Sequence, residues 1–339
     1  MLSSSEVQNR PQSYSIQTLD DVRSLAEVLR QRMRAAVQGR DEVIEFVLYA
    51  LLGDGHILLE DYPGSGKTTL AKALGQSIET EISDTVPHFR RVQFTPDLLP
   101  SDITGVMIFD TENNEFSFRK GPLFAYIILA DEINRTSPKV QSALLEAMAE
   151  KQITVDNVTH PLDKLFFVIA TQNPLDLMGT YPLPVSQLDR FLFKIKMTHI
   201  SREAELEVLA KWNIDRLAPN LPKISRNQII GARQVLRQQV KVSEPVMACL
   251  VDTLGNLREN PAVVQGASTR SLVMAIPALQ ARAALMGRDF VSSEDIEVIL
   301  LPLLLHRIEL QHSSEEKSAM IMNAAKPALE KLARDLMKA

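Results

Sequence analysis

Apolar residues recur at helical spacing from Leu19 to Val37, with Val22, Leu25, Val28 and Leu29 on one face, and a second such pattern runs from about Asp41 to Leu52. Two helices are therefore expected ahead of everything else. The middle of the chain changes character: short apolar runs at 56–60, 91–94, 127–130 and 166–170 alternate with helix-like segments. A run that is apolar at successive positions offers water no face, so these four read as central strands of a parallel sheet covered on both sides by the helices between them. Two stretches break the rhythm by alternating with period two. Val106 and Ile108 are expected to face Phe116 and Phe118 across 110–115, and Ile153 and Val155 to face Val158 across Asp156 and Asn157. Both read as hairpins projecting from the sheet layer. Beyond Phe193 the strand signals stop. Helix starts follow instead, at Ser225, at Ser243 with Pro245 just inside, at Ser268, and at Ser292 with Asp295 in capping-box spacing.

The pattern divides the chain into a tail of residues 1–16, rich in Ser, Gln and Asn and expected to be disordered, an α/β domain over 17–199 and an all-helical domain over 200–339. A chain of 339 residues with 45% hydrophobic content suffices for one large core and a smaller one. Charge narrows the partners. The 42 acidic and 37 basic side chains are interspersed and give a formal net charge of −5, so no basic field attracts a phosphate backbone at long range, which argues against nucleic acid. Cys249 is the sole cysteine and cannot form an intrachain disulfide, which fits a reducing compartment; a small buried residue is the expected role. The opening residues do not read as a signal peptide, and the longest apolar runs, such as 298–305, are too short to span a bilayer. A soluble, cytoplasmic protein is expected.

Chemistry enters at Pro63-Gly64-Ser65-Gly66-Lys67-Thr68-Thr69, between the strand at 56–60 and a helix whose apolar face is read as Leu70, Ala73, Leu74 and Ile78. A strand feeding a glycine loop and then a helix points successive backbone N–H groups and the helix dipole at one spot, which is what a polyphosphate requires. Gly64 and Gly66 let the backbone close on the phosphates, Lys67 would reach the β and γ oxygens, and Thr68 would hold Mg²⁺. Asp61 stands where the full phosphate-loop pattern has its first glycine. That departure bears on how the strand is left more than on the chemistry.

Asp131 and Glu132 follow the apolar run at 127–130, at the strand end where open α/β sheets bind ligands. Asp131 would fix Mg²⁺ directly or through water, and Glu132 would orient and deprotonate an attacking water. Asn173, closing the strand that includes 166–170, could position the same water or the γ-phosphate; an asparagine before Pro174 also suits a plain turn. His56 and His306 invite a metal reading, but the sequence has no CxxC or HxxxH cluster. Trp212 and Met274, Met286, Met320 and Met322 lie on helical patterns and are expected to pack.

The strings from Asp131 to Met148, from Ala170 to Pro174, from Tyr181 to Pro184 with Gln187-Leu188-Asp189-Arg190-Phe191-Leu192, and from Gly266 to Arg270 together resemble MoxR-type AAA+ ATPases. The likeness runs in the family's order from about Val37 to about Leu310. It implies a P-loop AAA+ core, a parallel sheet between helices with inserted hairpins, followed by a helical lid. It further implies Asn173 as the sensor of the γ-phosphate, Arg190 as an arginine finger acting in trans, Arg270 as a second sensor on the lid, and Val37, Gln38 and Gly39 as the adenine-side segment. Val185 and Ser186 stand where the family has an acidic residue, which bears on the packing around Arg190. ATP or ADP and Mg²⁺ are the implied cofactors. The implied assembly is a homo-hexamer or other ring that remodels a separate protein partner, a protein with a von Willebrand factor A domain being the candidate that the resemblance suggests. The hairpins at about 105–120 and 152–162 would face the pore or that partner. Two other functions are compatible with a nucleotide site. A nucleic-acid motor would grip phosphates with its hairpins, yet the turns at 110–115 and 156–157 are acidic or neutral. For a non-hydrolysing assembly switch, keeping Lys67, Asp131, Glu132 and Asn173 together would be superfluous.

Overall fold

In the computed structural model, which describes residues 15–60, 64–79, 86–174, 179–210, 221–311 and 317–336, the first helix is started by Thr18. Its hydroxyl accepts from the Asp21 N–H and the Asp21 carboxylate accepts from the Thr18 N–H, so two of the donors left over at a helix start are satisfied. This is α1 (Leu19–Ala36), followed by α2 (Asp41–Leu52), β1 (Ile57–Glu60), α3 (Lys67–Gln76), β2 (Ile78–Glu79) and β3 (Phe89–Gln93). Next come α4 (Pro100–Thr104), the hairpin β4 (Gly105–Asp110) and β5 (Glu115–Lys120), β6 (Ile127–Asp131), α5 (Pro138–Glu150) and the hairpin β7 (Gln152–Val155) and β8 (Val158–Pro161). The α/β part ends with β9 (Phe167–Gln172), α6 (Val185–Leu188), β10 (Phe193–Lys196) and α7 (Arg202–Ala210). The remainder is β11 (Ile224–Ser225), α8 (Arg226–Gln239), α9 (Glu244–Glu259), β12 (Val263–Gln265), α10 (Thr269–Leu285), α11 (Ser293–Leu304), β13 (Glu309–Leu310) and α12 (Lys317–Leu336).

The central sheet has the order β10-β1-β9-β6-β3, and every neighbouring pair is parallel. The inner strands β1, β9 and β6 are apolar on both faces because both faces are covered, whereas β3, formed by the run at 91–94 that was expected to be central, is an edge strand with Arg90, Arg91 and Gln93 exposed. Ile57, Leu59, Ile127, Leu129, Phe167 and Ile169 join a cluster with α1, α2 and α3, while Leu58, Ile128, Ala130, Val168 and Ala170 join a second one with α5. The larger cluster continues into α8, α9, α10, α11 and α12, with α8 and α10 packed on α1 and α2. The helix starts expected at Ser225, Ser243, Ser268 and Ser292 are all N-caps, two of them closed by capping boxes with Gln228 and Asp295. No described helix is long and apolar enough to cross a membrane.

Four further expectations need correction. Strands do not stop at Phe193: β10 begins there and lies beside β1, alternating buried Phe193 and Ile195 with Lys194 and Lys196, as an edge strand can. Nor is the second part purely helical, since β11 pairs with β2 and β12 with β13, all strands of two or three residues too short to leave a pattern. Helix α3 ends at Gln76, so Ile78 belongs to β2 and packs as a strand residue. The first hairpin is one residue out of the expected register. Asp110 pairs with Glu115, which sets Met107 against Phe118 and Phe109 against Phe116, and leaves Val106 and Ile108 opposite Arg119 and Ser117. A one-residue change puts the two apolar sets on opposite faces, and Phe116 is left 67% exposed. The second hairpin keeps Val155 against Val158, its turn closed by Asp156 and Asn157 at positive φ as a tight two-residue turn requires. Phe118 of the first hairpin stacks on His160 of the second, with ring centroids 3.9 Å apart. The expected tail falls almost wholly outside the described residues, as do Asp61, Pro63 and Trp212.

Candidate functional site

Helix α3 begins without a side-chain cap, at Gly66. Gly64 and Gly66 hold φ values of 86° and 93°, a region that a side chain disfavours, and this turn delivers the chain directly into Lys67. The first turn of α3 holds no acidic residue, so the positive end of the helix dipole favours an anion there. Thr68, partly exposed, and Thr69, exposed, sit in that same first turn.

The strand order then decides what the loop faces. β9 lies next to β1 and β6 next to β9, so Glu60, Gln172 and Asp131 end on one edge of the sheet. Lys67 Nζ lies 3.3 Å from Asp131 Oδ1. Asp131 is almost wholly buried and also accepts from Thr171 Oγ1 at 2.7 Å and from Arg91 Nη2 at 2.7 Å. Burial alone would push this carboxyl up, but the hydrogen bonds from Arg91 and Thr171 and the charge of Lys67 outweigh it and hold the group below its ordinary range. The site is built to keep a negative charge that attracts cations.

Glu132 leaves the strand at φ 59°, a left-handed conformation unusual for a glutamate. Its N–H donates to Thr171 Oγ1 at 2.9 Å, and its carboxylate accepts from Gln93 Nε2 at 2.9 Å and pairs with Arg135 Nε at 3.1 Å. Asn173 follows β9 directly, is 8% exposed, and its carbonyl accepts from Asn134 Nδ2 at 3.4 Å. Beside the loop lies a cavity of about 340 Å³, lined by Val37, Gln38 and Arg40 on one wall, Gly64 to Gly66 on another and Met197 to Ile200 on a third. Val37 is close enough that a Cβ on Gly66 would stand 3.4 Å from its Cγ1. Gly39 has φ 67°, and a Cβ there would come within 2.6 Å of Ala204 Cβ, so only glycine brings this segment against α7.

Lys67, Asp131, Glu132 and Asn173 thus meet at one edge of the sheet, next to Val37 and Gln38. Arg190 and Arg270 do not join them. The Arg190 guanidinium donates to the Leu145 carbonyl at 2.7 Å, Arg270 is exposed on the first turn of α10, and neither lines the cavity. Arg91, Gln93 and Thr171 were not singled out from the sequence. The available signal was polar residues at the C-terminal ends of strands that flank Asp131, which becomes readable only once β3 and β9 are known to be its neighbours. His56, which invited a metal reading, is buried: its Nδ1 accepts from the Val168 N–H at 3.0 Å, and its Nε2 lies 3.3 Å from the Met148 carbonyl. Cys249 packs in α9, and burial pushes its thiol up to about 11.

Residues 56–193 match the family model described as ATPase family associated with various cellular activities (AAA), and residues 255–327 match the AAA lid domain. The chain is 42% identical over 292 residues to the uncharacterized protein YeaC of Bacillus subtilis, covering 86% of this chain and 89% of that one. It is 36% identical to chaperone MoxR1 of Mycobacterium tuberculosis, over 83% of this chain and 75% of the relative. A crystal structure from Cytophaga hutchinsonii superposes with a TM-score of 0.81 at 35% identity, covering 92% of this chain and 96% of that one.

Proposed function

Because the chain belongs to the MoxR family of AAA+ ATPases, we propose that it hydrolyses ATP in a ring of identical subunits and uses the cycle to remodel a separate protein partner. The observation that carries this reading is the convergence of Lys67 on Asp131, 3.3 Å apart, at the mouth of a glycine loop whose helix start is uncapped. An assembly switch needs the loop but has no use for Glu132, a carboxylate fixed at the end of β6 by a strained backbone and two side-chain partners.

The donors present suit Mg²⁺. Thr68 and Asp131 supply one hydroxyl and one carboxylate, hard oxygen donors, and Mg²⁺ ordinarily takes only one or two protein ligands and completes its shell with water and phosphate oxygens. When bound, the ion would neutralise charge on the β and γ phosphates. The chain's own groups do the rest. The N–H groups of residues 64–69 and Lys67 hold the triphosphate, Val37, Gln38 and Gly39 bound the base, and Asn173 orients water against the γ-phosphoryl group. Glu132 accepts the water's proton once it has left Gln93. Arg190 and Arg270 reach the γ-phosphate of a neighbouring subunit, which fits their place away from their own cavity. The hairpins β4–β5 and β7–β8 meet the partner, and the exposed Phe109 and Phe116, with centroids 5.0 Å apart, give the first of them an apolar grip. In this reading residues 17–199 form the nucleotide-binding core and 200–339 the lid.

Two variants test the reading. Lys67→Ala is expected to lose binding of a fluorescent ATP analogue, because the cradle loses the cation that reaches the phosphates. Glu132→Gln is expected to bind ATP with near-wild-type affinity and to hydrolyse it at least about 100-fold more slowly, in line with the loss of a general base. Wild-type turnover by Glu132→Gln would refute the assignment of the base, and unchanged binding by Lys67→Ala would refute the phosphate site.

A further inference from the structure

Arg307 is 1% exposed, sits between α11 and β13, and is aimed back at the α/β half of the molecule. Its Nε donates to Asp189 Oδ1 at 2.7 Å, and its Nη groups donate to the carbonyls of Asp189 at 3.2 Å, Phe191 at 2.6 Å and Leu192 at 3.0 Å. A guanidinium survives such burial only when its donors are used and a counter-charge is near. Burial depresses its pKa, the Asp189 carboxylate opposes that shift, and the like charge of Arg270 adds to it. Asp189 is therefore the counter-charge that keeps Arg307 charged in its buried place despite the like charge of Arg270.

The same carboxylate takes two further hydrogen bonds, from Ser268 Oγ and from Ser271 Oγ, each at 3.2 Å. Those two serines flank Arg270, at the N-cap and in the first turn of α10, while Asp189 immediately precedes Arg190. The next residues, Phe191 to Phe193, run into β10 beside β1. One carboxylate is thus fastened to the segment that carries Arg190, to the helix turn that carries Arg270, and to a buried arginine that grips the backbone between them.

We infer that Asp189 is a positioning residue that locks Arg190 and Arg270 into a single two-guanidinium unit presented to the nucleotide of a neighbouring subunit. This rests on the roles proposed above for the two arginines. Two flexible side chains carried on separate halves of the molecule would meet the same phosphate only if their backbones were held at a fixed spacing, and Asp189 supplies that spacing. A carboxylate that merely fastened the two halves together would instead affect stability without a selective effect on rate.

The inference is tested on the full chain with two variants. Asp189→Asn keeps the shape and removes the charge; Ser268→Ala/Ser271→Ala spares the contact with Arg307 and cuts only the link to α10. Both are expected to bind a fluorescent ATP analogue within about twofold of wild type. Misplaced catalytic groups cost on the order of 10- to 100-fold, so kcat should fall by that factor in Asp189→Asn and several-fold in the serine pair, with KM little changed. The deciding readout is a cycle measured by single-turnover hydrolysis of radiolabelled ATP. In an Arg190→Ala/Arg270→Ala background, adding Asp189→Asn should slow the residual rate no further, because groups that act as a unit are not additive. The same factor of loss with and without the arginines would overturn the inference, as would wild-type turnover by the serine pair. If Arg190→Ala/Arg270→Ala itself were as fast as wild type, the arginine assignment would fall and this inference with it. Should Asp189→Asn fail to fold, the serine pair takes its place in the same cycle, with the same outcomes for and against.

Discussion

Glu132 is held in place by a hydrogen bond from Gln93 and an ion pair with Arg135. In the role proposed for it, the Glu132 carboxylate must leave Gln93 Nε2, 2.9 Å away, before it can meet an attacking water, so this contact acts as a restraint that nucleotide or partner must release. A hydrogen bond to a charged group contributes roughly 1.5 to 3 kcal/mol when dry and less at a half-open site. Gln93→Ala is accordingly expected to raise basal ATP turnover several-fold without altering ATP affinity, in a steady-state assay free of partner protein. Equal or slower turnover would make Gln93 a support for Glu132 and remove the restraint. Legibility at this scale followed chain continuity. Lys67 and Asp131 were readable because each lies inside a string whose neighbours announce it, whereas Gln93, Arg91, Thr171 and Asp189 owe their roles to contacts across strands or between halves of the molecule.

The elements were readable wherever burial is complete over several residues. Strands β1, β6 and β9 are apolar on both faces and helices α1 and α2 carry broad apolar stripes, so their existence followed from pattern alone. β10 was hidden because its alternation lasts only four residues, too few to establish a period after the apolar run at 191–193, and the first hairpin slipped because its register is set by a four-residue turn at 111–114 that apolar spacing does not reveal. His56 joins elements, bridging β9 and the end of α5 from just before β1. Burial, helped by the charge of Lys151, pushes its pKa down to about 4 from an ordinary 6.5. The folded chain therefore keeps His56 neutral while the unfolded chain takes up a proton below pH 6.5, so stability present above that pH is lost as pH falls toward 4. The loss from this residue is about 2 kcal/mol by pH 5, and buried His306, also shifted down by burial, adds in the same direction. Urea unfolding at pH 7 and pH 5 should show the drop. His56→Gln should be less stable at pH 7 but shallower in its pH dependence, and a wild-type profile in that variant would contradict the role given to His56.

At the scale of the whole molecule, the loop, the two carboxylates and Asn173 share one sheet edge, while Arg190 and Arg270 lie outside the cavity beside that edge. On the proposed reading, a molecule divided in this way carries half of a catalytic site on each of two surfaces, and its activity should depend on assembly. The most direct test mixes two inactive chains. Lys67→Ala has an empty pocket and an intact arginine; Arg190→Ala has an intact pocket and no finger, and an arginine supplied in trans contributes roughly 10³ to 10⁵ in rate in comparable nucleotide hydrolases. The pair should be assayed both after subunit exchange and as a fused tandem, so that a ring requiring every site filled does not mask recovery. The account predicts that ATP hydrolysis reappears where an intact pocket meets an intact Arg190, although each parent alone is nearly inactive; wild-type hydrolysis by assembled Arg190→Ala alone, or no recovery in either the mixture or the tandem, would contradict it.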